Sequence, residues 1–596
     1  MRQESVNSYK VKGIYSMTSF PNRSRISNTT KTLCFLGFLN VFLEPSEAAD
    51  IIISGGHIFT ADENYSSAEA VAVQGNSIVF VGSEKQAMAL RRPETEIIDA
   101  RGKMVLPGFH DAHIHPILGG RSLLGCDLSI APDLQALTLI LKSCVASSNN
   151  TWIVAEGLNL GFFPPSGPTL PWLDQISDTK PLLVRASDGH AISVNSIGLA
   201  LAKIDKDTIA PPAGLIERDY SGNPSGTLRE SAIELLETKL PKTNENQRIT
   251  LLLAAIKEIN SFGITSIFDA WVGSKDIAAY RTVEANGQLS LRVRAALAYG
   301  YGDLFVIDST DTYESLLADR VKLKSERFNL AAVKLFIDGV LEGETAALLS
   351  PYLHKKGYRG EITYDQSQLN KIVADLINSD LQVYTHAIGD GGVRAILDAV
   401  ENAQSISGGK DLRHHVSHLQ LIHPDDYKRF GELGIVANFQ ALWALPDEWI
   451  INLNLPVVGI DRVNRMYPIA SIVRSGGTIV GGSDWNVSSL NPLDAIEVAL
   501  LRQDWKANDK LDNVSLSQLD VLNHRERVNL ETMLRAYTIN AAWSMHQENL
   551  TGSLTPGKRA DIIVLSDDLF EIPPQHISQV VVERTMIDGI QVYRHE

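Results

Sequence analysis

The strongest chemical signal in the chain is a short run, Pro107-Gly108-Phe109-His110-Asp111-Ala112-His113-Ile114-His115-Pro116. Side chains on a strand repeat every two residues, so Asp111, His113 and His115 fall on one face. Two imidazoles at a strand end can ligate the same cation, usually zinc. The spacing equally suits two ordinary polar histidines, so its meaning depends on what else the chain offers. His386 closes Val383-Tyr384-Thr385-His386, His418 closes His414-His415-Val416-Ser417-His418, and Asp484 follows Gly481-Gly482-Ser483. Lys334 lies inside the apolar segment Ala331-Ala332-Val333-Lys334-Leu335-Phe336-Ile337, where an unpaired ammonium is costly. Histidines, a carboxylate and a buried lysine brought to one spot would hold a metal ion and activate water.

Eight apolar segments can position them: Val105–Leu106, Ile264–Phe268, Val293–Leu297, Ala332–Ile337, Gln382–Thr385, His414–Ser417, Ile435–Phe439 and Thr478–Gly481. Helix-period segments such as Ile249–Phe262, Gln368–Ser379 and Val393–Ala403 lie between several of them. This alternation predicts an α/β fold with a parallel sheet closed into a (β/α)8 TIM-like barrel, whose active site forms at the carboxyl ends of the strands. With His418 inward, strand alternation puts His414 on its face and His415 on the other. Residues 120–235 are too long for one connection and carry strands of their own (Trp152–Ala155, Pro181–Arg185), which predicts an inserted lobe over the barrel mouth. Short β runs fill both 50–104 and 546–596, and two such ends can build one composite β domain. The expected division is therefore leader 1–49, β unit 50–104, barrel 105–545 and β unit 546–596.

The 596 residues carry 54 Lys+Arg against 70 Asp+Glu, a formal charge of −16. That balance argues against a broad phosphate-binding surface, so nucleic acid is not an expected partner. Three cysteines exclude a disulfide scaffold. Residues 1–32 are polar and basic, and the apolar run Leu33–Leu43 is too short to span a bilayer. The run has the size of a signal-peptide core, with Ser46-Glu47-Ala48 at a cleavage point and Met17 as an alternative start. It equally reads as an extension with a chance apolar patch. The first reading places the protein in the secretory pathway or an endomembrane lumen, the second in the cytoplasm. Sequons at Asn64, Asn149, Asn513 and Asn549 permit glycosylation, and a mature chain would keep only Cys126 and Cys144, free or paired.

The motif around His113 is joined by Ser187-Asp188-Gly189-His190-Ala191, Val333-Lys334-Leu335-Phe336-Ile337-Asp338-Gly339, His386-Ala387-Ile388-Gly389-Asp390 and Gly482-Ser483-Asp484. Near the end stand Ala536-Tyr537-Thr538-Ile539-Asn540-Ala541-Ala542 and Gly552-Ser553-Leu554-Thr555-Pro556-Gly557-Lys558-Arg559-Ala560-Asp561. In these marks the chain, from about residue 50 onward, resembles the amidohydrolase superfamily and its amidohydrolase-3 (YtcJ-like) group. Within that group it is similar to plant long-after-far-red amidohydrolase-like proteins. The resemblance implies a barrel with a composite β-sandwich from both chain ends.

It also implies one or two divalent ions, zinc foremost, held by His113, His115, His386, His418 and Asp484. Lys334 matches the lysine that is carboxylated in binuclear relatives to bridge two ions; the alternative is an ammonium reaching a carboxylate such as Asp338. The implied reaction is hydrolysis of a C–N bond of amide or N-formyl type, but not a peptide bond, by metal-activated hydroxide. Asp484 would shuttle the proton, and His190 would orient the substrate carbonyl or remain a polar loop residue. Two other readings stay open: a mononuclear deaminase or cyclic-amide hydrolase, and a catalytically weak signalling or scaffold member. The expected partner is a small amide-type molecule, with room for a homodimer and no integral membrane span. Two departures bear on substrate: Ser417 precedes His418 where relatives often have Glu, and Val340-Leu341-Glu342-Gly343-Glu344-Thr345 replaces a Ser/Gly/Arg-rich segment.

Overall fold

The computed structural model describes residues 48–211, 214–237, 239–299, 313–504 and 521–596. The candidate signal core and the sequon at Asn513 lie outside the described residues.

Eight parallel strands form a nearly closed barrel: Phe109–Ile114, Ile264–Val272, Arg292–Ala298, Phe328–Phe336, Gln382–Ala387, His415–His418, Val436–Phe439 and Thr478–Gly481. Each hydrogen-bonds to the next in sequence order. Helices cover the outside, so the strands are buried on both faces and read as apolar runs, as in the fully buried Ile264–Val272. The helix Gln366–Asn378 shows how the cover forms. Asp365 caps it by accepting from the Gln368 N–H, and Leu369, Val373, Leu376 and Ile377 form its buried stripe. Where the eighth strand meets the first, loop atoms stitch the seam. The Asp484 N–H donates to the His113 carbonyl at 2.7 Å and the His115 N–H to the Trp485 carbonyl at 2.8 Å.

One strand differs from expectation. Val105–Leu106 lies in Met104–Pro107, which pairs with Ile51–Phe59 and Ile562–Leu565 outside the barrel. The first barrel strand starts after Gly108, at Phe109. An apolar search passes over Phe109–Ile114 because it carries His110, Asp111 and His113, the polar residues this barrel buries.

Residues 51–107 and 562–594 share one eight-stranded sheet, in which Ile562–Leu565 and Val582–Ile587 continue the ladder begun by Ile51–Phe59 and Met104–Pro107. Ile53, Ile58, Val71, Val73, Ile562, Val564 and Met586 form its core. Between the first and second barrel strands lies a separate six-stranded sheet, from Cys126–Asp127 to Pro224–Glu230. A disulfide joins Cys126 to Cys144 of the helix Leu134–Ser147, resolving the open pairing. The core of this lobe, with Trp152, Leu183, Val194 and Leu228, packs against Trp271 and Ala298 at the carboxyl ends of barrel strands. The lobe therefore covers the barrel mouth. No helix among the described residues is long and apolar enough to cross a membrane.

Candidate metal centre

The first, sixth and eighth barrel strands bring His113, His418 and Asp484 to one point, each offering a ligand atom within 4.8 Å of the others. Asp484 Oδ1 lies 3.4 Å from His113 Nε2 and 3.1 Å from His115 Nε2, and its Oδ2 lies 3.8 Å from His418 Nδ1. All three central residues are buried, yet among the described residues His418 Nδ1 and Asp484 Oδ1, two of the atoms that face this point, have no hydrogen-bond partner. Buried polar atoms are normally paired, so these await a ligand. Two imidazoles and a carboxylate suit a divalent cation of the zinc type.

Burial, reinforced by Lys334 and neighbouring imidazoles, pushes His113 and His418 well below their ordinary pKa. That keeps them neutral, the state that ligates. Trp443 stacks on His418 with ring centroids 5.5 Å apart. At the seam, Asp111 Oδ1 accepts from the His113 N–H at 3.0 Å and the Ser483 N–H at 3.1 Å, tying both ligand-bearing strand ends together. Gly482 is required beside them, since a Cβ there would lie 2.8 Å from the His113 nitrogen.

His418 reaches the centre by a route that alternation does not allow. His415 packs inward instead, stacking on Tyr384 at 4.8 Å and meeting Phe268 at 5.4 Å. His414 shares no face with the centre; its Nδ1 accepts from the Val383 N–H at 3.0 Å. The parity expected from the sequence is thus reversed. His418 has φ of 79°, and this left-handed residue swings its ring back over the barrel end. Asp484, at φ 53°, is bent likewise. Such backbone strain concentrates at functional sites.

Lys334, 1% exposed, places Nζ 3.4 Å from His113 Nε2 and over the rings of Phe336 and Tyr384. Burial pulls it down to about 7, against the pull of Asp484. Among the described residues no carboxylate pairs with it. Asp338 instead accepts from the N–H groups of Ile388, Gly389 and Ala347 at 2.8–2.9 Å. Its Oδ1 stands 3.6 Å from His386 Nδ1. His386 joins the group through His418, at 4.6 Å between ring centroids.

His190 reaches the same mouth from the lobe, its ring 5.2 Å from that of His386. Glu230 Oε2 lies 2.9 Å from its Nδ1, and Glu230 Oε1 accepts from the Thr345 hydroxyl at 2.8 Å. Burial alone would lower His190, but Glu230, Asp188 and Glu342 outweigh it and push it up to about 9. Burial, with Asp188 adding, pushes Glu342 up to about 8.

All seven expected site residues therefore surround one mouth: His113, His115, His418 and Asp484 at its centre, Lys334 and His386 beside them, and His190 on the lobe side. Sequence reasoning missed Glu230, a terminal residue of a lobe strand with no motif around it. It also missed Asn438 and Trp443, and took Gly482 only as part of the Gly482-Ser483-Asp484 motif. Only the Gly481-Gly482 pair carried a visible signal, that of close backbone approach.

A family model described as "Amidohydrolase family" matches residues 96–593. The chain is 29% identical over 559 residues to Protein LONG AFTER FAR-RED 3 of Arabidopsis thaliana, covering 91% of this chain and 92% of that one. It is 26% identical over 565 residues to the N-substituted formamide deformylase of Arthrobacter pascens, covering 92% and 99%. An uncharacterized metal-dependent hydrolase from Pyrococcus horikoshii OT3 shares the fold, with a TM-score of 0.67 at 22% identity over 88% of this chain and 99% of that one. With the match running from the outer sheet through every barrel strand to the last strand, the chain belongs to the amidohydrolase family.

Proposed function

We propose that this hydrolase cleaves a C–N bond of amide or N-formyl type, with zinc held by His113, His418 and Asp484 and completed by His115 and His386. The observation carrying the reading is the convergence of buried ligand atoms from His113, His418 and Asp484 at the barrel mouth, with His418 Nδ1 and Asp484 Oδ1 left without a hydrogen-bond partner among the described residues. A cation bound there lowers the pKa of water towards about 7 and polarises a carbonyl. Asp484 takes the proton of the attacking water on its carboxylate and returns it to the leaving nitrogen. Glu230 occupies His190 Nδ1, which leaves the Nε2–H of a protonated ring to hold the substrate carbonyl oxygen. The lobe keeps bulk water from the mouth. The name of the Arthrobacter relative favours an N-formyl amine.

Lys334 supports a second ion. Carboxylation would convert a buried ammonium with no carboxylate partner among the described residues into an anionic ligand beside His113. The Cys126–Cys144 disulfide favours maturation in an oxidising compartment.

Zinc-loaded protein offered N-formyl and N-acyl amines should release free amine, and His113→Ala should abolish both metal retention and turnover. Less than one metal per chain in native protein, or full turnover by His113→Ala, would sink the reading. Protein recovered from its native source should begin after the leader; a start well before Leu33 refutes cleavage.

A further inference from the structure

Below the metal ligands, the barrel interior holds a cross-brace that the proposed chemistry does not use. The Ala112 carbonyl, between Asp111 and His113, accepts the Tyr384 hydroxyl at 2.5 Å and Asn438 Nδ2 at 2.8 Å. Ala112 belongs to the first barrel strand, Tyr384 to the fifth and Asn438 to the seventh. Three strands that are not ladder neighbours are thus joined at one oxygen. Asn438 Nδ2 also lies 3.1 Å from the Tyr384 oxygen, and Asn438 Oδ1 accepts from Gln440 Nε2 at 3.1 Å, which fixes the orientation of the amide. Tyr384 is held from behind by His415, stacked at 4.8 Å, and by Phe268 at 4.5 Å. All of these side chains are buried.

The brace lands where the first strand is irregular. Against the second strand, Ile267 pairs with Asp111 and Asp269 with Ile114, so the first strand carries one extra residue across Ala112-His113. A bulge of this kind re-aims a side chain and leaves local backbone without its ladder partner. The aim of His113 is therefore not set by the sheet alone. The Tyr384 ring meets the His113 ring at 5.3 Å, so one residue grips both the peptide before the ligand and the ligand itself. Gly482 closes the other side, where a Cβ would come within 2.7 Å of His113 Cβ and 3.1 Å of Asn438 Oδ1.

We infer that Tyr384 and Asn438 are positioning residues: their shared grip on the Ala112 carbonyl holds the bulge that aims His113 at the metal. The inference rests on His113 being a ligand, as proposed above. Outer groups that orient ligands typically change metal affinity about 10–100-fold when removed.

The test is zinc affinity, measured by chelator competition on the full chain, for Tyr384→Phe and Asn438→Ala. Thr585→Val serves as reference, because the Thr585 hydroxyl also donates to a buried backbone carbonyl, that of Asn260 at 2.7 Å, far from the site. Tyr384→Phe should weaken zinc about tenfold or more while lowering the unfolding midpoint no further than Thr585→Val does. Tyr384→Phe keeps the ring and so tests the hydroxyl with least risk to folding; Asn438→Ala tests the same oxygen from the seventh strand. Native affinity in both variants, or a loss matched by Thr585→Val, overturns the inference. His113→Ala separates the two failures. If it binds zinc normally, the metal reading fails; if it loses zinc while both brace variants keep it, only the brace fails.

Discussion

Two groups of histidines meet across the barrel mouth and are driven in opposite directions. On the barrel side, burial holds His113, His386 and His418 well below their ordinary pKa. On the lobe side, 5.2 Å from His386, His190 is pushed up to about 9. Burial acts on both, so the difference lies in partners. The barrel imidazoles share Asp484 among several rings and face Lys334, whereas His190 has Glu230 in direct contact at 2.9 Å with Asp188 and Glu342 behind it. In the proposed mechanism the same side chain serves as a neutral donor of electrons on one side and as a cation on the other. The two roles are separable by substitution.

The largest effect tests the barrel side. Asp484→Asn keeps the volume but removes the charge that accepts the proton in the proposed mechanism, and general acid–base groups contribute about 10²–10⁴ in rate. Turnover should fall by that factor, and bound metal should fall with it in elemental analysis. His190→Asn should cost somewhat less, about 10²–10³, the scale of a lost donor to a developing oxyanion. Metal content should stay at the native level in that variant. If His190→Asn also strips the metal, the two sides are one unit and the contrast collapses.

The pH dependence of stability gives a smaller but sharper reading. A histidine raised in the folded state stabilises fully below its unfolded value of about 6.5, and that contribution is lost as pH rises through about 9. The depressed barrel histidines act with the opposite sign: only the unfolded chain takes up their protons, so stability falls as pH drops through about 6.5. Urea midpoints across this range should therefore decline at both ends. His190→Asn should flatten the alkaline limb, by up to about 3 kcal/mol, and leave the acid limb intact. An unchanged alkaline limb would remove His190 as its source; Glu342, at about 8, would then be the group to replace.

How far these groups could be read from sequence follows from how each is held. His113 and His115 announce themselves by spacing, and Lys334 by its misplacement in an apolar strand. The barrel was legible from strand–helix alternation, apart from its first strand. There the polar residues 110, 111 and 113 defeat an apolar search while Met104–Pro107 satisfies it. His418 was read as facing the centre, yet His414 and His415 were given the wrong faces, because a left-handed φ of 79° at His418 breaks the two-residue period. The lobe partner Glu230 lies 40 residues from His190, with no periodic relation between them. Tyr384 and Asn438 look like ordinary strand residues until three-dimensional packing places both at Ala112.

Two glycines carry the contrast down to its smallest expected effect. At Gly482 an added Cβ would sit 2.7 Å from His113 Cβ and 2.8 Å from its nitrogen, atoms fixed in the first barrel strand. At Gly339 it would sit 2.1 Å from Thr345 Oγ1, 2.6 Å from Thr345 Cβ and 2.7 Å from Glu230 Oε1, atoms of a loop residue and of a lobe side chain. The first neighbour can yield only by moving a barrel strand; the second yields by a shift of the loop that carries Thr345, surrendering the Thr345–Glu230 hydrogen bond. Gly482→Ala should thus cost about 1–3 kcal/mol, the range for overpacking, and weaken metal retention. Gly339→Ala should cost about 1 kcal/mol, near that of one hydrogen bond. It should raise KM through the loosened His190 and keep the metal. Denaturant midpoints with metal analysis decide the first, and steady-state kinetics the second. Should Gly339→Ala lose metal while Gly482→Ala keeps it, the division between a ligand side and an orienting side is drawn in the wrong place.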